Sequence, residues 1–160
     1  MAEARIFEDL KQDHDRHRKL LDQITETQGD SEDRRTLFET LRKELQAHAA
    51  AEEEALYATM LADPELREDA RHSVSEHKEV DDMLGELVEA DMASGGWLIK
   101  FKSMRHRYLH HIDEEEEEMF PTAAEALSRK TEAEMAKVFE ARKPKELARA
   151  EDELPGDARE

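Results

Sequence analysis

The chain has 160 residues, 41% of them charged and 38% hydrophobic, with a formal net charge of −18, no cysteine, five glycines and four prolines. That balance suits one domain of amphipathic helices and leaves little punctuation for a many-stranded fold. The charge argues against a grip on nucleic-acid phosphates or an anionic membrane, and the lack of cysteine excludes disulfides, thiolate metal sites, iron–sulfur clusters and thiol catalysis.

A first helix is predicted over about residues 4–27, where Phe7, Leu10, His14, His17, Leu21 and Ile24 recur with the three-four alternation of an inward seam. Gly29 follows as its stop, and Asp30 or Ser31 caps a second helix whose seam reads Phe38, Leu41, Leu45, His48, Glu52 and Leu56, with Tyr57 beside it. Asp63-Pro64 starts a third helix, carrying Val74, His77, Val80, Leu84 and Leu87 to about residue 91. After Ser94-Gly95-Gly96 a fourth runs through Trp97, Phe101, Met104, Tyr108, His111, Glu115 and Met119 up to Pro121. The expected fold is all-α: an up-down-up-down four-helix bundle with a short fifth helix at its C-terminal side. Residues 1–125 are expected to form the metal-binding bundle, 126–143 an accessory helix, and 144–160 a polar, disordered tail without a site. No apolar run approaches the roughly 20 residues of a membrane helix, and the first residues lack a signal-peptide core, so a cytoplasmic protein is expected.

Laid along these helices, part of the chain reads twice at an offset of 63 residues. Asp13-His14 with Leu20-Leu21 and Ile24 returns as Glu76-His77 with Met83-Leu84 and Leu87. His48-x-x-x-Glu52-Glu53 returns as His111-x-x-x-Glu115-Glu116. The residues that repeat best are those that bind metals, so an internal duplication is inferred whose shared content is a ligand set.

His14, His48, Glu52, His77, His111 and Glu115 all fall where the seams reserve space for core side chains. A single histidine on an apolar face is more often a core residue than a ligand. Two carboxylates in a bundle core are another matter, because an ionised carboxylate there is costly unless paired, hydrogen-bonded or bound to a metal. Each stands one turn after a histidine on the same face. The six are therefore predicted metal ligands on a pseudo-twofold axis, and six nitrogen and oxygen donors suit iron, manganese or zinc.

The offset also sorts the remaining candidates. His17 lies on a seam but pairs with Val80, so it is read as a core residue or a support for the site; His72, His106 and His110 have no histidine counterpart, and His106 and His110 are read as surface residues. His110 is kept as the substitute for His111 should the fourth helix be rotated. Glu53 and Glu116 are read as solvated or as hydrogen-bonding the site from outside, and Tyr57 and Tyr108 as core aromatics. The acidic run Glu114 to Glu118 raises the local negative potential, which favours cation uptake.

His14, His48-x-x-x-Glu52, His77 and His111-x-x-x-Glu115, spread over four helices and followed by Met119-Phe120-Pro121, resemble the hemerythrin-like (HHE cation-binding) family over about residues 5–125. The resemblance implies a non-haem centre of two iron ions, bridged by the two glutamates and an oxo or hydroxo group. It further implies binding or sensing of dioxygen, nitric oxide or peroxide, or the handling of iron. Oxygen-carrying members place a fifth histidine where this chain has Ser73 and close on His-x-x-x-x-Asp, so the resemblance is to the HHE subset. The expected partner is a small diatomic or peroxide ligand, with no nucleic acid and no membrane. Two further readings are a di-iron enzyme of the peroxidase or catalase type, and a structural or metal-sensing module closed by zinc or iron.

Overall fold

The computed structural model describes residues 4–156, and among them every regular element is helical. Helix α1 is Arg5–Thr25; α2 runs unbroken from Glu32–Glu52 through a π-helical turn at Glu53–Tyr57 to Ala58–Ala62. Helix α3 is Arg67–Glu89, and α4 runs from Gly95–Glu114 through a second π turn at Glu115–Met119 to Phe120–Ala126. Helix α5 is Arg129–Ala150. The first four make the expected bundle, and no helix among the described residues is long and apolar enough to cross a membrane.

The serine caps act where the sequence places them, and the other two signals are displaced. Gly29 does not itself stop α1, which ends at Thr25 with Glu26 as its cap; three residues further on it takes φ +59°, a left-handed turn that glycine adopts without a Cβ penalty. Of the two candidate caps before α2, Ser31 does the work, its hydroxyl accepting from the Arg34 amide; Ser94 accepts from the Gly96 amide before α4. Asp63-Pro64 begins a separate turn rather than the helix: the Asp63 carboxylate accepts from the Glu65 amide, and α3 follows from Arg67.

Two apolar clusters fill the bundle. One gathers Phe7, Leu10, Leu56, Met60, Phe120 and Phe139 at the end where α1 begins. The other gathers Leu21, Phe38, Leu41, Leu84, Trp97 and Phe101 at the opposite end. The predicted ligands lie on the helix segments between them, in a polar layer closed off above and below by hydrocarbon.

Pro121 does not end α4. The π turn before it directs the Phe120 amide to the Glu115 carbonyl, five residues back, so the hydrogen-bond ladder is already shifted where proline lacks its donor.

The C-terminal segment departs most from expectation. Helix α5 is neither short nor ended at Pro144; it has 22 residues, and the chain after it is docked as far as Gly156. Its buried positions continue the same spacing, Met135, Ala136, Phe139, Lys143, Glu146 and Ala150, but the last turns bury charges instead of hydrocarbon. Lys143 Nζ lies 2.7 Å from Asp13 and 3.1 Å from Glu44. The buried Arg42 guanidinium donates to the carbonyls of Ala150 and Glu153 and to the side chains of Glu39 and Gln46. The Gly156 amide reaches Asp81. Of the tail expected to be disordered, only 157–160 lies outside the described residues. Because the one Arg42 guanidinium donates both to the last turn of α5 and to the chain beyond it, Arg42→Ala is expected to cost about 3 kcal/mol in urea unfolding. An unchanged urea midpoint would show that the C-terminal segment contributes nothing to the bundle.

Candidate metal centre

All six predicted ligands are buried and face one another. His14, His48, Glu52 and Glu115 bring one ligand atom each within 4.8 Å of all the others, and Glu52, His77, His111 and Glu115 do the same. The two sets share both carboxylates. Their halves are alike in shape: the His14 and His48 rings have centroids 5.0 Å apart, and those of His77 and His111 4.9 Å apart. Nε2 of each imidazole points inward, His14 and His111 at 3.3 and 3.7 Å from Glu115 Oε1, His48 and His77 at 3.5 and 3.2 Å from Glu52 Oε1.

The opposite nitrogen of each ring is held by a carboxylate outside the cluster. Asp13 takes His48 Nδ1 at 2.8 Å, Glu53 takes His77 at 3.2 Å, Glu76 takes His111 at 2.9 Å and Glu116 takes His14 at 2.7 Å. With Nδ1–H donated outward, Nε2 keeps its lone pair for the interior, the arrangement that orients a metal-binding imidazole. No ring is held from its own helix. Helix α1 holds the ring on α2, α2 that on α3, α3 that on α4, and α4 that on α1, so the four supports form a closed ring. Asp13 and Glu76 are 63 residues apart, as are Glu53 and Glu116, so the sequence repeat covers the supports as well as the ligand candidates. Reading Glu53 and Glu116 as outside hydrogen-bond partners agrees with these contacts; which histidine each would serve depended on the helix packing.

Chemically, the donor atoms fit a metal. Nε2 of His14, His48 and His111, Oε2 of Glu52 and Oε1 of Glu115 are buried and make no hydrogen bond. One such atom commonly costs about 1–3 kcal/mol, and five around one point are hard to sustain unless a cation satisfies them together. Burial works against a charged imidazole, but the neighbouring carboxylates of Glu115 and Glu116 raise His14 to about 9, and those of Glu52 and Glu53 raise His77 to about 10. Burial also opposes charge on Glu52, yet the His48 and His77 imidazoles hold its carboxyl well below the usual range. The cluster is thus built to carry positive charge against two carboxylates, which is the charge pattern that metal ions would supply.

Tyr57, read from sequence as a core aromatic, belongs to the cluster. Its hydroxyl donates to Glu52 Oε1 at 2.9 Å and to Glu115 Oε2, and lies 3.3 Å from His77 Nε2. On an α-helix a residue five positions on lies roughly 140° round the axis from Glu52. The wider π turn brings it back onto the same face. Burial and the charges of Glu115 and Glu52 push the phenol well above its ordinary value, so it stays a proton donor. Residue 120, its counterpart at the 63-residue offset, is a phenylalanine, and the two halves differ here.

His17 is fully buried and belongs to neither set, but its ring packs edge-on against His48 with centroids 5.1 Å apart, and its Nδ1 lies 2.7 Å from the Tyr108 hydroxyl. Burial lowers it to about 3, which keeps the ring neutral. Ser73, at the place of the oxygen carriers' fifth histidine, is buried against Met119. His106 and His110 are exposed, and His110 lies 3.2 Å from Glu114, one turn along its own helix.

Comparison with known proteins agrees with this geometry. The sequence matches the family model for the hemerythrin HHE cation-binding domain over residues 5–123. A crystal structure of a hemerythrin HHE cation-binding domain-containing protein from Mycobacterium kansasii superimposes with a TM-score of 0.79 at 27% sequence identity, covering 93% of this chain and 90% of that one. No curated protein is matched. By the extent of the family match, and with a fold and a His/Glu cluster that agree with it, this chain belongs to the hemerythrin HHE cation-binding domain family.

Proposed function

We propose that the chain holds two iron ions, one between His14 and His48 and the other between His77 and His111, with Glu52 and Glu115 shared by both, and that it binds dioxygen, nitric oxide or peroxide there. The observation that carries this reading is the pair of equivalent donor sets with two carboxylates in common. Zinc in a structural site closes its four positions with protein ligands, whereas six nitrogen and oxygen donors shared between two ions suit iron or manganese and leave positions for a small exogenous ligand. A cavity of about 240 Å³ opens from the surface onto His111 and Glu115 and gives such a ligand a way in. Iron would supply redox chemistry and an open coordination position. The protein supplies imidazoles held from outside by carboxylates, and a phenol proton at Tyr57.

That phenol favours a second reading, turnover of peroxide, because a proton source within hydrogen-bond reach of the centre is what an enzyme of the peroxidase or catalase type needs. Protein made with iron supplementation and purified without oxygen separates these readings. Two iron ions per chain, and a visible absorption that responds to dioxygen, nitric oxide or peroxide, are expected. Rapid consumption of peroxide that falls in Tyr57→Phe would select the enzyme. Colourless protein carrying stoichiometric zinc would overturn both and leave a structural or metal-sensing module.

A further inference from the structure

The two halves of the cluster are nearly equivalent, but the surroundings of their outer carboxylates are not. Asp13, which holds His48, has a protein cation against it: Lys143 of α5 sits 2.7 Å from Oδ2. Its counterpart Glu76 holds His111 in the same way, yet α5 packs mainly on α1 and α2, in the first half. Beside Glu76 there is instead the cavity of about 240 Å³.

Among the described residues no lysine or arginine lines that cavity. Its walls carry Asp69, Glu76, Glu114 and Glu118, and its inner end is Glu115 with His111. Within it, His72 Nε2 lies 3.3 Å from Glu76 Oε1 and 3.3 Å from Glu114 Oε1, so the three offer an imidazole and two carboxylates to one point. The three side chains grade from open to enclosed, with His72 57% exposed, Glu114 32% and Glu76 9%. Beyond them Glu115 Oε1 and His111 Nε2 are buried and make no hydrogen bond.

We propose that His72, Glu76 and Glu114 form a third, weaker divalent-cation site outside the dinuclear cluster, through which metal is passed to the His77/His111 half. The inference rests on the dinuclear reading for its destination. Where Asp13 has the buried Lys143 ammonium against it, Glu76 has only the exposed His72 imidazole, which can itself be a ligand and share a cation from solution with the carboxylate. A concave surface with carboxylates and no lysine or arginine on its walls concentrates cations at its mouth, and one imidazole with two carboxylates suits a hydrated divalent ion. Glu76 connects the two sites physically: the oxygen that faces His72 is the one that holds the His111 ring, so an ion arriving there meets the next ligand already turned inward.

The test uses cobalt(II) added to the full-length, chelator-treated chain without oxygen. The wild type is expected to take two tight equivalents, read by visible absorption, and a third weaker one, read by calorimetry. The double variant His72→Ala/Glu114→Gln is expected to keep the tight pair and its spectrum, to lose the third equivalent, and to load at least about tenfold more slowly. The double variant His106→Ala/Glu86→Gln removes an exposed imidazole and an exposed carboxylate elsewhere and should match the wild type. A wild type that takes two equivalents and no third overturns the proposal, as does equal loading by wild type and the His72/Glu114 variant. Absence of a tight pair in the wild type overturns the dinuclear reading, and the third site is still decided by whether the two chains differ in weak binding.

Discussion

Replacing Glu52 or Glu115 by Ala is expected to remove both metal ions at once, whereas replacing any one of the four histidines removes one ion and leaves the other. The asymmetry follows from geometry. Each glutamate contributes to both four-membered sets, and each histidine to one. Loss of a shared carboxylate takes a donor and a negative charge from each ion and leaves four imidazoles facing one carboxylate in a layer closed off by two apolar clusters. An uncompensated charge in such surroundings is strongly disfavoured. His14→Ala or His48→Ala should leave one ion on His77 and His111, and the reverse pair of variants should leave one on His14 and His48. Metal analysis of the six variants, with circular dichroism to verify the helices, gives the count. A Glu52→Ala protein that retains one ion per chain would show that the carboxylate is not shared.

Chelation is expected to lower the melting temperature by roughly 10 °C near neutral pH, and by more as the pH rises. Ligand in thousandfold excess over its dissociation constant stabilises a fold by about 4 kcal/mol, and each kcal/mol is worth about 2–4 °C in a domain of this size. The pH dependence comes from His14 and His77, which titrate at about 9 and about 10 in the folded, metal-free chain against 6.5 for an unperturbed imidazole. A raised folded value contributes stability that is complete below about 6.5 and lost as the pH climbs through 9 and 10. Each such proton is worth about 1.4 kcal/mol per pH unit within that window. Metal displaces these protons, so the loaded protein does not share the loss. The gap between loaded and chelated melting temperatures should therefore widen steadily from pH 7 to pH 10. Coincident melting curves, or a gap that narrows with pH, would mean that the buried imidazoles and carboxylates are satisfied without metal.

The bundle was legible because its cores are hydrocarbon at helical spacing, and apolar periodicity is what a sequence displays most openly. The six clustered residues were legible for a related reason: histidine and glutamate on an apolar seam conflict with it, and the 63-residue offset separated them from the other four histidines. Tyr57 was not, since an α-helical wheel turns it away from Glu52 and only the π turn returns it. The end of α5 was missed because Lys143, Glu146 and Arg42 hold it by charge, and charged residues at seam spacing read as a solvated tail. The cavity beside Glu76 was equally hidden, because a surface histidine and an acidic run acquire meaning only once α3 and α4 lie side by side.

The closed ring of outer carboxylates bears on what half of this molecule could do by itself. Within residues 5–62 only the link from Asp13 to His48 is complete; His14 waits on Glu116, and Glu53 reaches for His77. A lone half would orient one of its two imidazoles and leave its only inward carboxylate, Glu52, without Glu115. Two identical halves facing each other across a twofold axis would close all four links, since the supports are spaced by the repeat itself. The duplicated chain is thus the covalent equivalent of a symmetric pair, and joining the halves made room for them to diverge: one gained a tyrosine at position 57 and the cover of α5, the other an open mouth.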